Sequence, residues 1–235
     1  MKVEKQGVKD FFDQTGVYLH KRFGIQLRRE IIKELVPVTT YKRVLDIGCG
    51  DGTLSLDFIE KADHVAMIDL SENMLMLARQ NIKYHFPLEE NKTHYFNGDF
   101  ISFKESNPFD LILLIGVLAH VTNIGETFEK VGSLLKPNGV VVIQFSESNH
   151  LLIRLRFRMH RRKSKYELNR ITKTNLVTFY TQNNLECIAE KRYNFPFFGM
   201  KYFSDGSLFA FQHWIMNKRW LSFLLSDVIL VLKKK

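Results

Sequence analysis

Cysteine is scarce in this chain. There are two in 235 residues, Cys49 and Cys187, far apart and in no metal-ligand spacing. That excludes a disulfide framework and a cysteine-built metal centre, so no metal is expected, and it fits a reducing, cytoplasmic setting. No apolar run approaches the ~20 residues that cross a bilayer. The start, Met1-Lys2-Val3-Glu4-Lys5, lacks the apolar core of a secretory leader. Internal repeats and low-complexity segments are missing as well. Acid is in deficit: 25 Asp and Glu against 34 Lys and Arg leave a net charge of +9. A basic balance suits nucleic acid, an anionic membrane surface, an anionic substrate or simply a basic surface, and the position of the charge decides among them. What is present, 45% hydrophobic and 25% charged, is the composition of a soluble globular protein with room for one domain and some embellishment.

The most informative stretch is Arg43–Leu56. Val44-Leu45-Asp46-Ile47 runs into Gly48-Cys49-Gly50-Asp51-Gly52, and an apolar run at helical spacing follows. The pattern predicts a buried strand, a tight turn and a helix start. Glycine reaches positive φ cheaply and lets a ligand touch the backbone, and a helix start offers free N–H groups. A small polar ligand is therefore expected above the carboxyl end of this strand. Cys49 reads as a small residue that fits the turn rather than as a nucleophile, because no histidine lies near it in sequence.

The rest of the chain alternates. Residues 1–36 carry apolar positions at helical spacing, with Gly16 and Gly24 dividing them into two helices that pack on the sheet or cover its cleft. Strands are predicted at about 43–47, 64–69, 93–97, 109–115 and 140–145. Between them lie helices from Gly52 to about Lys61, after the Ser71 cap, and over 124–135, with a turn at Pro137-Asn138-Gly139. Five alternations of strand and helix argue for a doubly wound α/β sheet. The pattern then changes. Residues 149–165 are basic and amphipathic. A capped helix is predicted at about 174–182, closed by Asn183-Asn184, then a strand at 185–193. An aromatic region without regular pattern spans Phe195–Trp220. The last strand falls at 226–232, and Lys233-Lys234-Lys235 reads as a solvated tail.

The ligand can be narrowed. A dinucleotide turn has the form Gly-x-Gly-x-x-Gly with an acid about 20 residues on. Here the spacing is Gly48-x-Gly50-x-Gly52, and Thr53 stands where the third glycine would be. The glycine spacing argues against a pyrophosphate. Asp69, at the end of the second strand, can accept hydrogen bonds from both hydroxyls of a ribose. Together they point to an adenosine-like cofactor.

At these residues the chain resembles the class I S-adenosylmethionine-dependent methyltransferases. Val44–Gly52 looks like their first motif. The resemblance continues in order through Ile68–Leu75, Asn97-Gly98-Asp99-Phe100, Phe109–Ile112, Val117–Val121 and Leu134–Gly139. It is strong over residues 40–146 and looser over 172–193 and the last strand. Within the family, the chain looks most like quinone, sugar and natural-product methyltransferases. The resemblance implies a seven-stranded Rossmann-like sheet with the last strand antiparallel, helices on both faces and an N-terminal helical lid. It also implies one domain over 1–235: a cap at 1–36, a cofactor-binding core at 40–146, acceptor-side insertions at 147–225 and the last strand with its tail at 226–235.

The cofactor implied is S-adenosyl-L-methionine, leaving S-adenosyl-L-homocysteine. By resemblance, Gly48, Cys49 and Gly50 hold the methionine end, and Asp46 orients its amino group through backbone or water. Asp69 binds the ribose and Leu70 packs on adenine, and Met74, on the buried side of its helix, is counted among the cofactor-binding residues. Asp99 and the Phe100 backbone meet the adenine amino group, and Ile115 and Gly116 line the methionyl side near the reactive methyl. Taken singly, Asp69 also reads as a strand-end cap and Asp99 as a turn former; both in register after a glycine turn favour the site.

A methyl acceptor must be aligned with the S–CH₃ bond, and a hydroxyl acceptor gains from a general base. His120, four residues after Gly116, is the first candidate, as a base, as an aligner of the acceptor or as a packing residue. Tyr18 is the second, either over the sulfonium or the acceptor, or as part of an amphipathic helix. Residues 154–165 hold seven Arg or Lys with no acid between them, which suits a solvated face or an anionic partner such as a membrane surface. Phe195, Phe197, Phe198, Tyr202, Phe203, Phe209, Phe211 and Trp214 read as ordinary core or as the wall of a pocket for an apolar acceptor.

The favoured function is therefore methyl transfer to a hydroxyl of a small-molecule acceptor, phenolic, quinone-like, sugar or natural product, anionic or amphiphilic. N-methylation of an amino sugar or other small amine is the nearest alternative. RNA methylation is further off, because Ile115–His120 lacks the Asn/Asp-Pro-Pro-aromatic signature of base-amine methyltransferases and no appended RNA-binding module is visible. An inactive binding protein on the same fold is opposed by Asp46, Gly48, Gly50, Asp69, Asp99 and His120 all standing in place.

Overall fold

The computed structural model describes residues 5–13, 22–36, 40–154, 168–196 and 203–235. Seven strands form one sheet: β1 (Tyr41–Ile47), β2 (Ala62–Asp69), β3 (Thr93–Asn97), β4 (Phe109–Ile115), β5 (Leu135–Ser146), β6 (Leu185–Tyr193) and β7 (Asp227–Lys234). Their order is β3-β2-β1-β4-β5-β7-β6. β1 to β5 pair in parallel, and β7 runs antiparallel between β5 and β6.

The central strands are apolar without a break because both faces of the sheet are covered. Ile112 and Leu114 of β4 point to one layer, with Phe128 and Val131 of α5 (Ile124–Leu134) and Leu176 and Tyr180 of α6 (Lys173–Gln182). Leu111, Leu113 and Ile115 point to the other. That layer holds Leu27, Ile31 and Ile32 of α2 (Arg22–Leu35), Leu56 and Ile59 of α3 (Leu56–Ile59), and Leu75, Ala78 and Ile82 of α4 (Glu72–His85). Each fully buried Leu or Ile of this kind contributes about 1.5–3 kcal/mol. The chain leaves β1 toward β2 and β3 but leaves β4 toward β5, so the carboxyl ends of β1 and β4 border the switch point where α/β sheets bind ligands.

Several expectations change in detail. Gly24 lies inside α2 instead of breaking it, since the helix's apolar face at Leu27, Ile31 and Ile32 outweighs one glycine. The helix predicted to reach Lys61 is only Leu56–Ile59. Pro137-Asn138-Gly139 is a kink within β5, with Asn138 at φ 62°, and the pairing register to β4 shifts there. Part of the aromatic region is helical: α7 (Asp205–Met216) is capped by Ser204, and a 3₁₀ turn, Arg219–Leu224, follows. The final lysines are not a free tail. Lys234 belongs to β7, and its Nζ donates to the carbonyls of Gly132 at 2.6 Å and Leu135 at 2.8 Å.

At the amino end of the sheet His64 stacks on His94, with centroids 4.2 Å apart. Burial, then the charges of Arg43 and His94, pull the His64 pKa from 6.5 down to about 4. The unfolded chain therefore takes up this proton first as pH falls. The prediction is that His64 contributes a loss of stability between pH about 6.5 and about 4. His64→Asn should flatten thermal melting against pH across that window relative to wild type; parallel curves would exclude the effect.

Candidate active site

The glycine turn is fastened to β2. Gly48 and Cys49 N–H both donate to the Ile68 carbonyl, at 2.7 and 3.1 Å. Gly48 has φ 67°, and a Cβ there would fall 2.5 Å from a methyl carbon of Val117, so only glycine lets the turn pass beneath the loop after β4. Asp69 ties the turn to the next helix. One carboxylate oxygen accepts the Gly50 N–H at 2.9 Å, and the other accepts the Ser71 N–H at 2.9 Å. Ser71 in turn caps α4 through the Met74 N–H at 3.3 Å. Burial raises the Asp69 pKa, and the backbone hydrogen bonds oppose that rise.

Asp46 is 2% exposed beneath the turn and accepts the Ser55 hydroxyl at 2.6 Å. Its pKa is pushed up to about 7, first by burial, against the Ser55 bond, and then by the charges of Asp69 and Asp51. Burial also raises the Cys49 thiol well above its ordinary value, with the charges of Asp46, Asp69 and Asp51 adding to the rise. Three carboxylates around one turn concentrate negative potential where a cationic ligand group would relieve it. The prediction is that a cationic ligand in this turn lowers the Asp46 pKa and so binds more tightly as pH rises toward about 7, levelling off above it. The gain is about tenfold for each pKa unit by which the ligand lowers Asp46. Asp46→Asn should flatten that slope in titration calorimetry; an unchanged slope would remove Asp46 as its source.

Above the turn lies a cavity of about 1620 Å³. Gly48, Cys49, Gly50, Asp69, Leu70, Asp99, Phe100, Ile115, Gly116 and His120 all line it. Asp46 does not. Met74 is fully buried in α4 and does not line it either. Asp99 caps the following 3₁₀ turn through the Ile101 N–H at 3.2 Å and forms an ion pair with Lys5. Lys5, Val8 and Phe12 belong to α1 (Lys5–Phe12), which covers the cleft. Just past it, Asp13 accepts the Ser71 hydroxyl at 2.5 Å.

His120 is half-buried, and its ring meets the edge of Phe12 at 5.4 Å. The loop that carries it is pinned by Asn169, whose amide donates to the carbonyls of Leu118 at 3.1 Å and Val121 at 2.6 Å. Asn169 lies 49 positions after His120 in a stretch without motif, so only the fold reveals it. Tyr18 lies outside the described residues, as do 155–167 of the basic stretch and Phe197, Phe198 and Tyr202. Of the other aromatics, Phe203 lines the cavity. Phe209 packs on Phe23 of α2 at 4.6 Å, and Phe195 and Phe211 pack together at 5.8 Å, as core.

A further polar group was not legible in sequence. Arg28 of α2, Gln144 at the end of β5 and Tyr193 at the end of β6 meet beside Gly116 on the cavity wall. Arg28 Nε donates to the Tyr193 hydroxyl at 3.0 Å. Asp227 lines the same cavity, accepting the Ser146 hydroxyl at 2.6 Å and the Asn194 amide at 2.8 Å.

A switch-point cleft with a glycine turn and an acid at the end of β2 is the ligand-site arrangement of a doubly wound α/β sheet, and the antiparallel β7 beside β5 is the arrangement expected of a methyltransferase sheet. The family description "methyltransferase domain" matches residues 39–192, and the chain belongs to the class I S-adenosylmethionine-dependent methyltransferases. It is 31% identical over 135 residues to the demethylmenaquinone methyltransferase of Leptospira interrogans, covering 55% of this chain and 52% of that protein. It is 31% identical over 158 residues to the ubiquinone biosynthesis O-methyltransferase of Pasteurella multocida, covering 64% of each. The chain thus spans about half to two thirds of the length of these relatives. In fold it is similar to the magnesium protoporphyrin IX methyltransferase of Synechocystis PCC 6803, solved with bound S-adenosylhomocysteine, at TM-score 0.70 and 16% identity over 98% of this chain and 99% of that one.

Proposed function

We propose that this chain methylates a hydroxyl of a small-molecule acceptor, phenolic, quinone-like, sugar or natural product, using S-adenosylmethionine. The observation that carries the reading is one continuous cleft that holds the Asp69 carboxylate, the glycine turn and the His120 ring. At about 1620 Å³ it exceeds the ~300–1,000 Å³ typical of a single small ligand and leaves room for cofactor and acceptor together. The residues fit the cofactor: open backbone at the turn, a carboxylate for the ribose and negative potential for the cationic methionine end. Bound there, S-adenosylmethionine supplies an electrophilic methyl group on sulfur and is left as S-adenosylhomocysteine.

Gly48, Cys49 and Gly50 then receive the methionine end, with Asp46 behind them. Asp69 accepts the ribose hydroxyls on lone pairs not used by Gly50 and Ser71. Leu70, Asp99 and Phe100 border the adenine. Ile115 and Gly116 border the methyl. His120 takes the acceptor's hydroxyl proton at an imidazole nitrogen and returns it to water. α1 excludes water from above.

Contact with an anionic membrane surface through 154–165 belongs to the same reading, at a peripheral, cytoplasmic location. Arg154 lines the cleft and is exposed, Leu151 and Phe223 are exposed large apolar side chains, and His150 bonds the Phe223 carbonyl at 2.9 Å. Failure to co-sediment with anionic vesicles would remove this part. Among the described residues no helix is long and apolar enough to cross a membrane.

The decisive experiment pairs calorimetry with S-adenosylmethionine and S-adenosylhomocysteine with a mass-spectrometric search for methylated products. Phenolic, quinone-like, sugar-nucleotide and amino-sugar acceptors are offered. Binding of neither cofactor form sinks the methyltransferase reading. Methylation of amines alone replaces O- with N-transfer.

A further inference from the structure

We infer that the acceptor is a neutral polyhydroxylated ring of the sugar type, and that Gln144 Oε1 accepts a hydrogen bond from one of its hydroxyls beside the methyl-transfer point. Within the proposed function, on which this reading rests, that point lies at Gly116. A Cβ built on Gly116 would lie 3.6 Å from Gln144 Oε1, so the carboxamide oxygen stands against the residue that borders the methyl.

Gln144 is the clearest sign of a ligand here. It lines the cavity and is 2% exposed, and its Oε1 has no hydrogen-bond partner among the described residues. Buried polar atoms are nearly always paired in folded proteins, so an open acceptor on a cavity wall marks a donor that arrives with the ligand. Gln144 also shares a hydrogen bond with the Tyr193 hydroxyl. With Oε1 unpaired, that bond is made by Nε2. Tyr193 is itself 1% exposed, so the carboxamide is held from behind by a fixed group, with its oxygen toward Gly116. An oxygen held this way accepts from an O–H and offers nothing to a carbonyl.

The wall around Gln144 has the same polarity. Ser146 at the end of β5, Asn149 just beyond it, Asn194 after β6 and Asp227 at the start of β7 all line the cavity. The Ser146 hydroxyl and the Asn194 amide donate to the Asp227 carboxylate, which leaves oxygen lone pairs on both residues. Acceptors therefore gather at this end of the cleft. The buried Asp227 carboxylate opposes an anionic acceptor, and the field of Arg28 already acts on that carboxylate, so the charges of this wall offset one another. A flat apolar ring would strip water from these groups and replace none of their hydrogen bonds. A ring with hydroxyls on several carbons supplies a donor to each, and a site built for such hydroxyls rejects an analogue that lacks them.

The test uses the full chain saturated with S-adenosylhomocysteine. The probes are the 4-nitrophenyl hexopyranosides of the gluco, galacto and manno series, the singly deoxyfluorinated analogues of each, and 1,4-dihydroxynaphthalene. At least one hexoside should bind about tenfold or more tighter than 1,4-dihydroxynaphthalene. In that hexoside, fluorine at one ring position should weaken binding about tenfold, the loss of one hydroxyl donor to a buried acceptor, because fluorine is small but cannot donate. Gln144→Leu should weaken the parent hexoside by a similar factor, keep S-adenosylhomocysteine affinity near wild type, and make the parent and that one analogue bind alike. Binding of no hexoside, binding of 1,4-dihydroxynaphthalene as tightly as the best hexoside, no position sensitive to fluorine, or a fluorine effect that persists at every position in Gln144→Leu overturns the inference. The wild-type comparison of parent and fluorinated hexosides decides even where the variant does not fold. Loss of S-adenosylhomocysteine binding by wild type would instead strike the proposed function.

Discussion

Asp69→Ala is expected to weaken S-adenosylmethionine binding by about 100-fold or more, the loss of two charge-assisted hydrogen bonds at about 1.5–3 kcal/mol each. Two effects combine. The ribose loses its carboxylate, and the N–H groups of Gly50 and Ser71 lose their acceptor, so the glycine turn and the start of α4 are no longer held together. S-adenosylhomocysteine should weaken equally, because the ribose is common to both. Asp69→Asn should recover little, since an amide offers one acceptor oxygen where two N–H groups need one each. Calorimetric affinities within about threefold of wild type, a change under 1 kcal/mol, would remove Asp69 from the site. A variant that melts at the wild-type temperature yet fails to bind would locate the loss in the ligand contact rather than in the turn.

His120→Ala is expected to lower turnover by about 10²–10⁴-fold, the usual worth of a positioned general base. Cofactor affinity should stay near wild type, because no cofactor-binding role falls on this ring. Asn169→Ala tests the same ring indirectly. It releases the carbonyls of Leu118 and Val121 and lets the loop drift, and misplacement by about 1 Å can cost about 10²-fold. Turnover should fall there while the pH profile keeps its shape, which a lost base would not allow. Equal losses of turnover and cofactor affinity in His120→Ala would make the histidine scaffolding.

The legible parts of the fold were those where local pattern and tertiary need agree. β3, β4 and β6 begin and end at the predicted residues, since each is bounded by turn residues such as Gly98, Gly116, Asn184 and Asn194. α3 was overread because the glycine turn continues through Gly52–Ser55 before one helical turn can form. α7 was missed because its aromatics serve two neighbours. Phe209 faces α2, while Phe211 faces Phe195 and Trp214, so no single apolar stripe repeats. Lys234 looked like a tail residue because nothing local shows that two carbonyls at the end of α5 lie within its reach.

The sequence by itself determined the family and the strand ends that carry the turn at Gly48–Gly52, Asp69 and Asp99, because a strand end can be read from neighbours in the chain. Only the tertiary structure decided which distant side chains meet beside that turn. Arg28, Gln144 and Tyr193 come from α2, β5 and β6 and are brought together by strand order, with Asn169 fixing His120 from a loop far along the chain. Side chains that converge from separate elements leave no spacing to read, because the fold sets their distances and the sequence intervals between them do not.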